Sequence, residues 1–258
     1  MYQLPLFPVK HLATFFAASL LLNVATASAQ KTFSVGVRGG LNRASTTLAD
    51  ASSFTGINAY NRTADKDAIY AGQVGLVLEA AFGKFAVQPA LVFSQKGEKF
   101  NTDVYFNGVG GGLSARSTTT NRYNWLELPV NFVYTLHGEH GLQFFAGPYV
   151  AMGIGGRQTG TSYFSSPNAF YIPYEFDNQI NYHSDTNNRR FDAGMNFGLG
   201  YRQGPVQVQA GFGLGFINLH RNIPSIDPGF SPSTLYNFYN DAAYNRVAQL
   251  TGTYFFAL

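Results

Sequence analysis

Cysteine is absent from all 258 residues. Its absence excludes disulfides, thiol chemistry and cysteine-ligated metals, and also an acylated N-terminus of the kind that needs a cysteine at its processing site. Charge is scarce as well. Asp, Glu, Lys and Arg make up 12% of the chain, against roughly 25% in an ordinary soluble domain. The formal net charge is +3, with no Lys/Arg cluster or basic helix, which excludes nucleic acid as a partner. Beyond residue 29 no apolar run approaches the roughly 18 residues a membrane helix requires. Catalytic signatures are missing too: there is no G-x-S-x-G, HExxH or P-loop pattern. The histidines (His11, His137, His140, His183 and His220) have no nucleophile signature beside them. Asp177, Asp185 and Asp227 lack the spacing of a calcium loop. The chain reads as a non-enzyme with no cofactor and no metal.

What is present is glycine (28), phenylalanine (24) and tyrosine (16), arranged in period-2 alternation. Phe85-Ala-Val-Gln-Pro-Ala-Leu-Val-Phe93 and Val206-Gln-Val-Gln-Ala-Gly-Phe-Gly-Leu-Gly-Phe216 put large apolar residues on one face and Gly, Gln or Ser on the other. Such alternation predicts eight strands, near 33–43, 69–82, 85–97, 122–136, 142–156, 190–202, 206–219 and 246–258. Tight hairpins fall at Gly83-Lys84, at His137 to Gly141 and at Gln203-Gly-Pro205. The other four connections, 44–68, 98–121, 157–189 and 220–245, each exceed 20 residues and are rich in Ser, Thr, Asn and Tyr. In an up-and-down meander this rhythm places every short turn at one end and every long loop at the other. Outer-membrane barrels have that asymmetry and an even strand number.

Orientation follows from volume. An eight-stranded barrel has an interior just wide enough to be filled by side chains. One face carries Leu126, Leu128, Val130, Phe132 and Tyr134, or Phe191, Met195, Phe197, Leu199 and Tyr201. Those residues would overfill the bore, so they are expected to face lipid, while Gly, Asn, Gln and a few charges face the lumen. The fold class expected is all-β, an eight-stranded antiparallel up-and-down transmembrane β-barrel over residues 30–258. Residues 1–29 read as a signal peptide: Lys10 and His11, an apolar core from Leu12 to Val24, then Ala27-Ser28-Ala29 as the cleavage pattern.

Several stretches resemble the Bacteroidetes-type outer-membrane β-barrel family known as PorT-like. They are Val35-Gly-Val-Arg-Gly-Gly-Leu-Asn42, Val87 to Gly97, Trp125-Leu-Glu-Leu-Pro-Val130, Phe145-Ala-Gly-Pro-Tyr-Val150, Phe191 to Tyr201 and Gly252-Thr-Tyr-Phe-Phe256. The resemblance implies the barrel fold and an outer-membrane location in a Gram-negative, Bacteroidetes-like bacterium. It assigns no activity; one branch of the family is tied to protein secretion. The chain ends in Leu258 where many such barrels end in an aromatic, leaving Tyr254, Phe256 and Leu258 on the lipid face.

Charges inside a narrow lumen must be paired or solvated. Depth along the hairpins pairs Lys96 with Glu127, Arg157 with Asp192, and Arg38 with Glu79. The external loops hold a second group, Tyr163, Phe164, Phe170, Tyr171, Tyr174, Phe176, Tyr182, Tyr236 and Tyr239. Tyrosines among asparagines offer amphipathic contact area and adaptable hydrogen bonds, the chemistry of a loop binding surface. The expected function is that of a small barrel with a mostly plugged polar lumen, presenting four long external loops for structural or binding roles. The alternative is a narrow channel or a component of a secretion or transport system. Expected partners are outer-membrane lipid and a protein of the envelope or secretion machinery, with the barrel itself a monomer.

Overall fold

The computed structural model describes residues 31–47, 60–108, 111–138, 140–166, 169–182, 188–219 and 243–257. The segment read as a signal peptide and Leu258 lie outside them. Nine antiparallel strands follow in order: β1 (Lys31–Thr46), β2 (Tyr60–Phe82), β3 (Phe85–Gly108), β4 (Gly111–His137), β5 (His140–Ser166), β6 (Ala169–Ile180), β7 (Phe191–Gln203), β8 (Val206–Gly215) and β9 (Asn245–Ala257). Eight of them close a ring, β1-β2-β3-β4-β5-β7-β8-β9, sealed where β9 pairs with β1.

The ring has the eight strands expected, and the ninth strand, β6, is an addition outside it. It sits beside β5 but above β7: Gly141–Met152 of β5 pair with β7, and Gly156–Ser166 pair with β6. Two of the four long connections are therefore not loops. Residues 98–121 continue β3 and β4 to the pair Gly108–Gly111, and 157–180 form the β5–β6 hairpin. These segments escape hydrophobic periodicity because their outward face is wet and the residues buried on the other face, Glu98, Phe100, Ala115, Thr119, Ser162 and Phe176, mix polar with apolar. Thr, Ser and Asn fill them, and β-branched threonine favours strand without an apolar partner. Of the other two connections, 48–59 and 220–242 lie outside the described residues.

The three short turns sit together at the opposite end. Each holds a glycine at positive φ (Gly83 at 62°, Gly138 at 77°, Gly204 at 56°), a conformation that a side chain would strain.

The faces separate cleanly. In β1, Phe33, Val37 and Leu41 are exposed while Ser34, Arg38 and Asn42 are buried. In β7, Phe191 is 64% exposed and its neighbour Asp192 2%. The alternation continues around the ring, with outward rings in contact at Phe85–Tyr134, Phe197–Phe212 and Tyr254–Phe256. Five alternate outward positions, such as Phe85 to Phe93 in β3, cover roughly 20–25 Å once strand tilt is included. Above this belt the outward positions turn polar, at Gln95 and Asn124 and then at the exposed ion pairs Arg157–Asp177 and Arg116–Asp103.

An arginine placed in mid-belt at Leu199 should destabilise the barrel by about 2–4 kcal/mol, whereas Thr161→Arg, above the belt, should cost less than about 1 kcal/mol. Reversible denaturant unfolding in lipid vesicles checks this; equal costs at the two positions would contradict the belt assignment.

Candidate functional site

The interior is built in tiers by the inward residues of each strand. Nearest the short turns, Glu79 of β2 accepts hydrogen bonds from Arg202 Nη1 (2.6 Å), Gln88 Nε2 (2.6 Å) and Ser34 Oγ (3.1 Å). The Arg202 guanidinium also lies 4.4 Å from the centre of the Phe255 ring. Arg202 takes the place in which Arg38 was expected. The register explains the difference: Glu79 is opposite Ser34, and Arg38 is opposite Gly75, four residues further up β1. There Arg38 donates to Gln209 Oε1 (2.9 Å) and Thr253 Oγ1 (3.2 Å).

The middle tier joins Lys96, Glu127, Tyr149, Asp192 and Asn245. Lys96 Nζ is 2.7 Å from Glu127 Oε1, as depth along the hairpin predicted, and 4.7 Å from the centre of the Tyr149 ring. Tyr149 donates to Asp192 Oδ2 (3.0 Å), and Asn245 Nδ2 donates to the same oxygen (2.7 Å). Tyrosine and asparagine thus satisfy one oxygen of the buried Asp192, while Asp192 Oδ1 and Asn245 Oδ1 have no side-chain hydrogen-bond partner among the described residues.

Arg157 does not join Asp192. Between Asn124 and Trp125 the β4–β5 register slips by one residue, with Gly155 at φ 147°. A one-residue slip exchanges the faces of a strand. Ala151 and Gly153 thus point inward, whereas Arg157 points out and binds Asp177 of β6 through Nε at 2.7 Å and through Nη2.

The aromatics inside the bore were not legible as such. Tyr123, Trp125, Phe145, Tyr149 and Phe255 are all buried, in phase with Glu127, Gly147 and Thr253. Room for them comes from inward glycines on the facing strands. A Cβ at Gly211 or Gly198 would lie within 2.8 Å of the Phe145 ring, and one at Gly194 within 2.7 Å of Tyr149. The signal that could have exposed this is the glycine stripe at 194, 198, 211 and 213, which asks for large residues opposite. A cavity of about 10 Å³, room for about one water, remains between Arg38, Asn131, Phe145, Asn196 and Gln209.

At the upper end Lys66 lies 3.5 Å from Glu98 Oε2, and Thr46 bonds the same carboxylate. Beside them Tyr123, Trp125, Ile180, Leu219 and Ala243 cluster, with Tyr182 packed against them.

The expected loop aromatics scatter. Tyr174 is exposed and stacks with buried Phe176 at 6.4 Å. Tyr163 is exposed on the other face of the hairpin, Phe164 is half-buried, and Tyr182 belongs to the rim cluster just described. Phe170 and Tyr171 fall in β6, but their side chains, like all of Tyr236 and Tyr239, lie outside the described residues. Among the described residues no group of three or more His, Asp or Glu is placed to hold a metal ion.

A closed ring, an apolar outer belt and a polar inner face coincide with one family model, which matches residues 26–221. The chain belongs to the outer membrane protein beta-barrel domain family. No curated protein matches it. Among solved structures this outer-membrane barrel is similar to Neisserial surface protein A, at 8% identity over 88% of this chain and 99% of that one, with a TM-score of 0.32. It is also similar to OprG from Pseudomonas aeruginosa (14% identity, 89% and 99% covered, TM-score 0.27) and to a TodX monoaromatic hydrocarbon channel mutant (8%, 91% and 91%, 0.20). At such scores the likeness carries no argument. Family membership makes the belt the lipid-facing surface of an outer-membrane protein.

Two predictions test the site. Lys96→Met leaves Glu127 buried without its cation and should cost about 3–5 kcal/mol, while the double variant Lys96→Met/Glu127→Leu should recover most of it; unfolding in vesicles reads both. Outside the membrane, the hydrogen bond from Arg157 holds the Asp177 carboxyl below its ordinary range. Its contribution to stability is therefore present above the ordinary carboxylate pKa and lost as pH falls through the lowered folded value. Carboxyl NMR titration should show Asp177 rising on Arg157→Gln, and no movement would refute the pairing.

Proposed function

We propose that this outer-membrane barrel is a non-conducting, non-catalytic anchor that holds an external β-sheet for docking a partner of the cell envelope. The observation that carries the reading is the contrast between the two halves of the molecule. The lower half spends its interior on mutually bonded side chains, from Glu79–Arg202 through Lys96–Glu127 to Tyr149–Asp192–Asn245. The upper half continues β2 to β5 beyond the belt and adds β6, with a wet outer wall and an inner wall that still buries Phe100, Ala115, Thr119 and Phe176. Among the described residues that sheet ends in β6, which pairs there with β5 alone.

An edge strand outside the membrane offers the backbone groups of its free side to a partner strand, and Tyr174 and Tyr163 flank it with amphipathic rings. The finer placement belongs to the same reading: a PorT-like protein of Bacteroidetes type, cleaved after Ala29, monomeric within the lipid and free of cofactors.

A narrow channel, or a secretion component that conducts, is the second reading. The polar lining of the internal cavity, with Asn131 Oδ1 and Gln209 Nε2 otherwise unpartnered, favours it. Planar-bilayer recording separates the two. The wild-type barrel should give no single-channel steps, and Phe145→Ala/Tyr149→Ala should create them. Steps of ordinary porin size from the wild type would overturn the anchor. A pull-down from the native envelope, repeated with Tyr163→Ala/Tyr174→Ala, tests the docking role.

A further inference from the structure

The lipid belt ends, on its external side, in a row of cations. Arg43 of β1 lies opposite Tyr70 of β2. Arg122 of β4 is opposite Gly97 of β3, and reaches across it to donate from Nη1 to the carbonyl oxygen of Tyr70 at 3.1 Å. On the other side of Arg43, Arg246 of β9 is its diagonal neighbour, since Arg43 is opposite Ala248 and Ser45 is opposite Arg246. All three are exposed and lie in phase with belt residues of their own strands: Leu41 with Arg43, Leu128 with Arg122, Leu250 with Arg246. Tyr70, between them, is 70% exposed.

What sets this row apart is the lack of counter-charge. Arg157 and Arg116, higher on the same wall, are each held by an aspartate. Among the described residues none of Arg43, Arg122 and Arg246 has a carboxylate partner. Arg246 Nη1 donates to the carbonyl oxygens of Gly215 and Asn245, which positions the guanidinium and leaves its other N–H donors for a ligand. From β9 to β4 the row crosses four interstrand steps, about 19 Å of wall at ~4.8 Å each. Guanidinium groups keep their charge at any physiological pH and match phosphate oxygens with paired N–H donors.

A soluble anion would have no reason to find its site aligned with the edge of a hydrocarbon belt. A lipid would: its chains lie along Leu41, Val74, Leu128 and Leu250, and its headgroup arrives at the level of the row. We propose that Arg43, Arg122 and Arg246, with Tyr70 between them, form a binding site for a phosphate-bearing lipid headgroup of the outer leaflet. The site fixes the depth of the barrel in the membrane and seats the external sheet just above the headgroups.

The test titrates detergent-solubilised full-length protein with lipid A, with chemically dephosphorylated lipid A, or with inorganic phosphate, and counts bound lipid by native mass spectrometry. Lipid A should bind the wild type. The dephosphorylated form should bind far more weakly, and inorganic phosphate should not displace lipid A at equal concentration. Each arginine near a charged lipid surface contributes roughly a fivefold factor, so Arg43→Gln/Arg122→Gln/Arg246→Gln should weaken lipid A binding on the order of 100-fold. Arg116→Gln, above the row and ion-paired, should leave it unchanged. The mobility of unboiled protein on gels confirms that each variant is folded. Equal binding of lipid A to the wild type and the triple variant, indifference to the phosphate, or displacement by inorganic phosphate would each overturn the site. None of these results bears on whether the lumen conducts or the external sheet docks a partner.

Discussion

Everything in this barrel depends on the width of its bore. Eight strands enclose room for little more than one layer of side chains, and that volume cannot be adjusted by moving one strand, because each is hydrogen-bonded on both sides. A large residue on the inner face therefore needs an absence opposite it. Phe145 is accommodated by Gly198 and Gly211, and Tyr149 by Gly194. A charge on the inner face needs a partner at its own depth. Glu79 finds Arg202 and Glu127 finds Lys96, Gln88 adds a bond to Glu79, and Tyr149 and Asn245 both donate to Asp192.

Away from the bore the same backbone obeys different rules. Along the belt, hydrocarbon permits only apolar outward residues. Above it the outer wall meets water and the outward residues turn polar, and β4 and β5 run on as threonine- and serine-rich ribbon beside β3. The change of regime occurs near the slip at Gly155, where β5 leaves β7, takes β6 as its neighbour and exchanges its faces. That single irregularity turns Arg157 from the interior to the outer wall and makes the external sheet an open one.

Legibility in the sequence tracked the strength of the two-faced environment. Where one side is lipid and the other a narrow polar bore, as in Phe191 to Tyr201, alternation gives both the strand and its orientation. The Lys96–Glu127 pair could be read because it lies on neighbouring strands joined without a break in phase. The expected pairs Arg38–Glu79 and Arg157–Asp192 failed for two separate reasons. Arg202 reaches Glu79 across the bore, a contact between strands that are not neighbours, and β6 offers Arg157 a nearer carboxylate. The hairpin β6 itself was hidden because its sequence, Ala169 to Ile180, carries no period that distinguishes strand from loop.

The sequence alone therefore determined the class of molecule: strands, one greasy and one polar face, short turns at one end, and hence a membrane barrel. These features are local, written in the period of two and in the composition of turns. Only the tertiary structure decided the partners of each charge, the aromatic filling of the bore, the fifth external strand and the alignment of Arg43, Arg122 and Arg246. Those depend on the register between strands far apart in the chain, and register is a property of the closed ring rather than of any one segment.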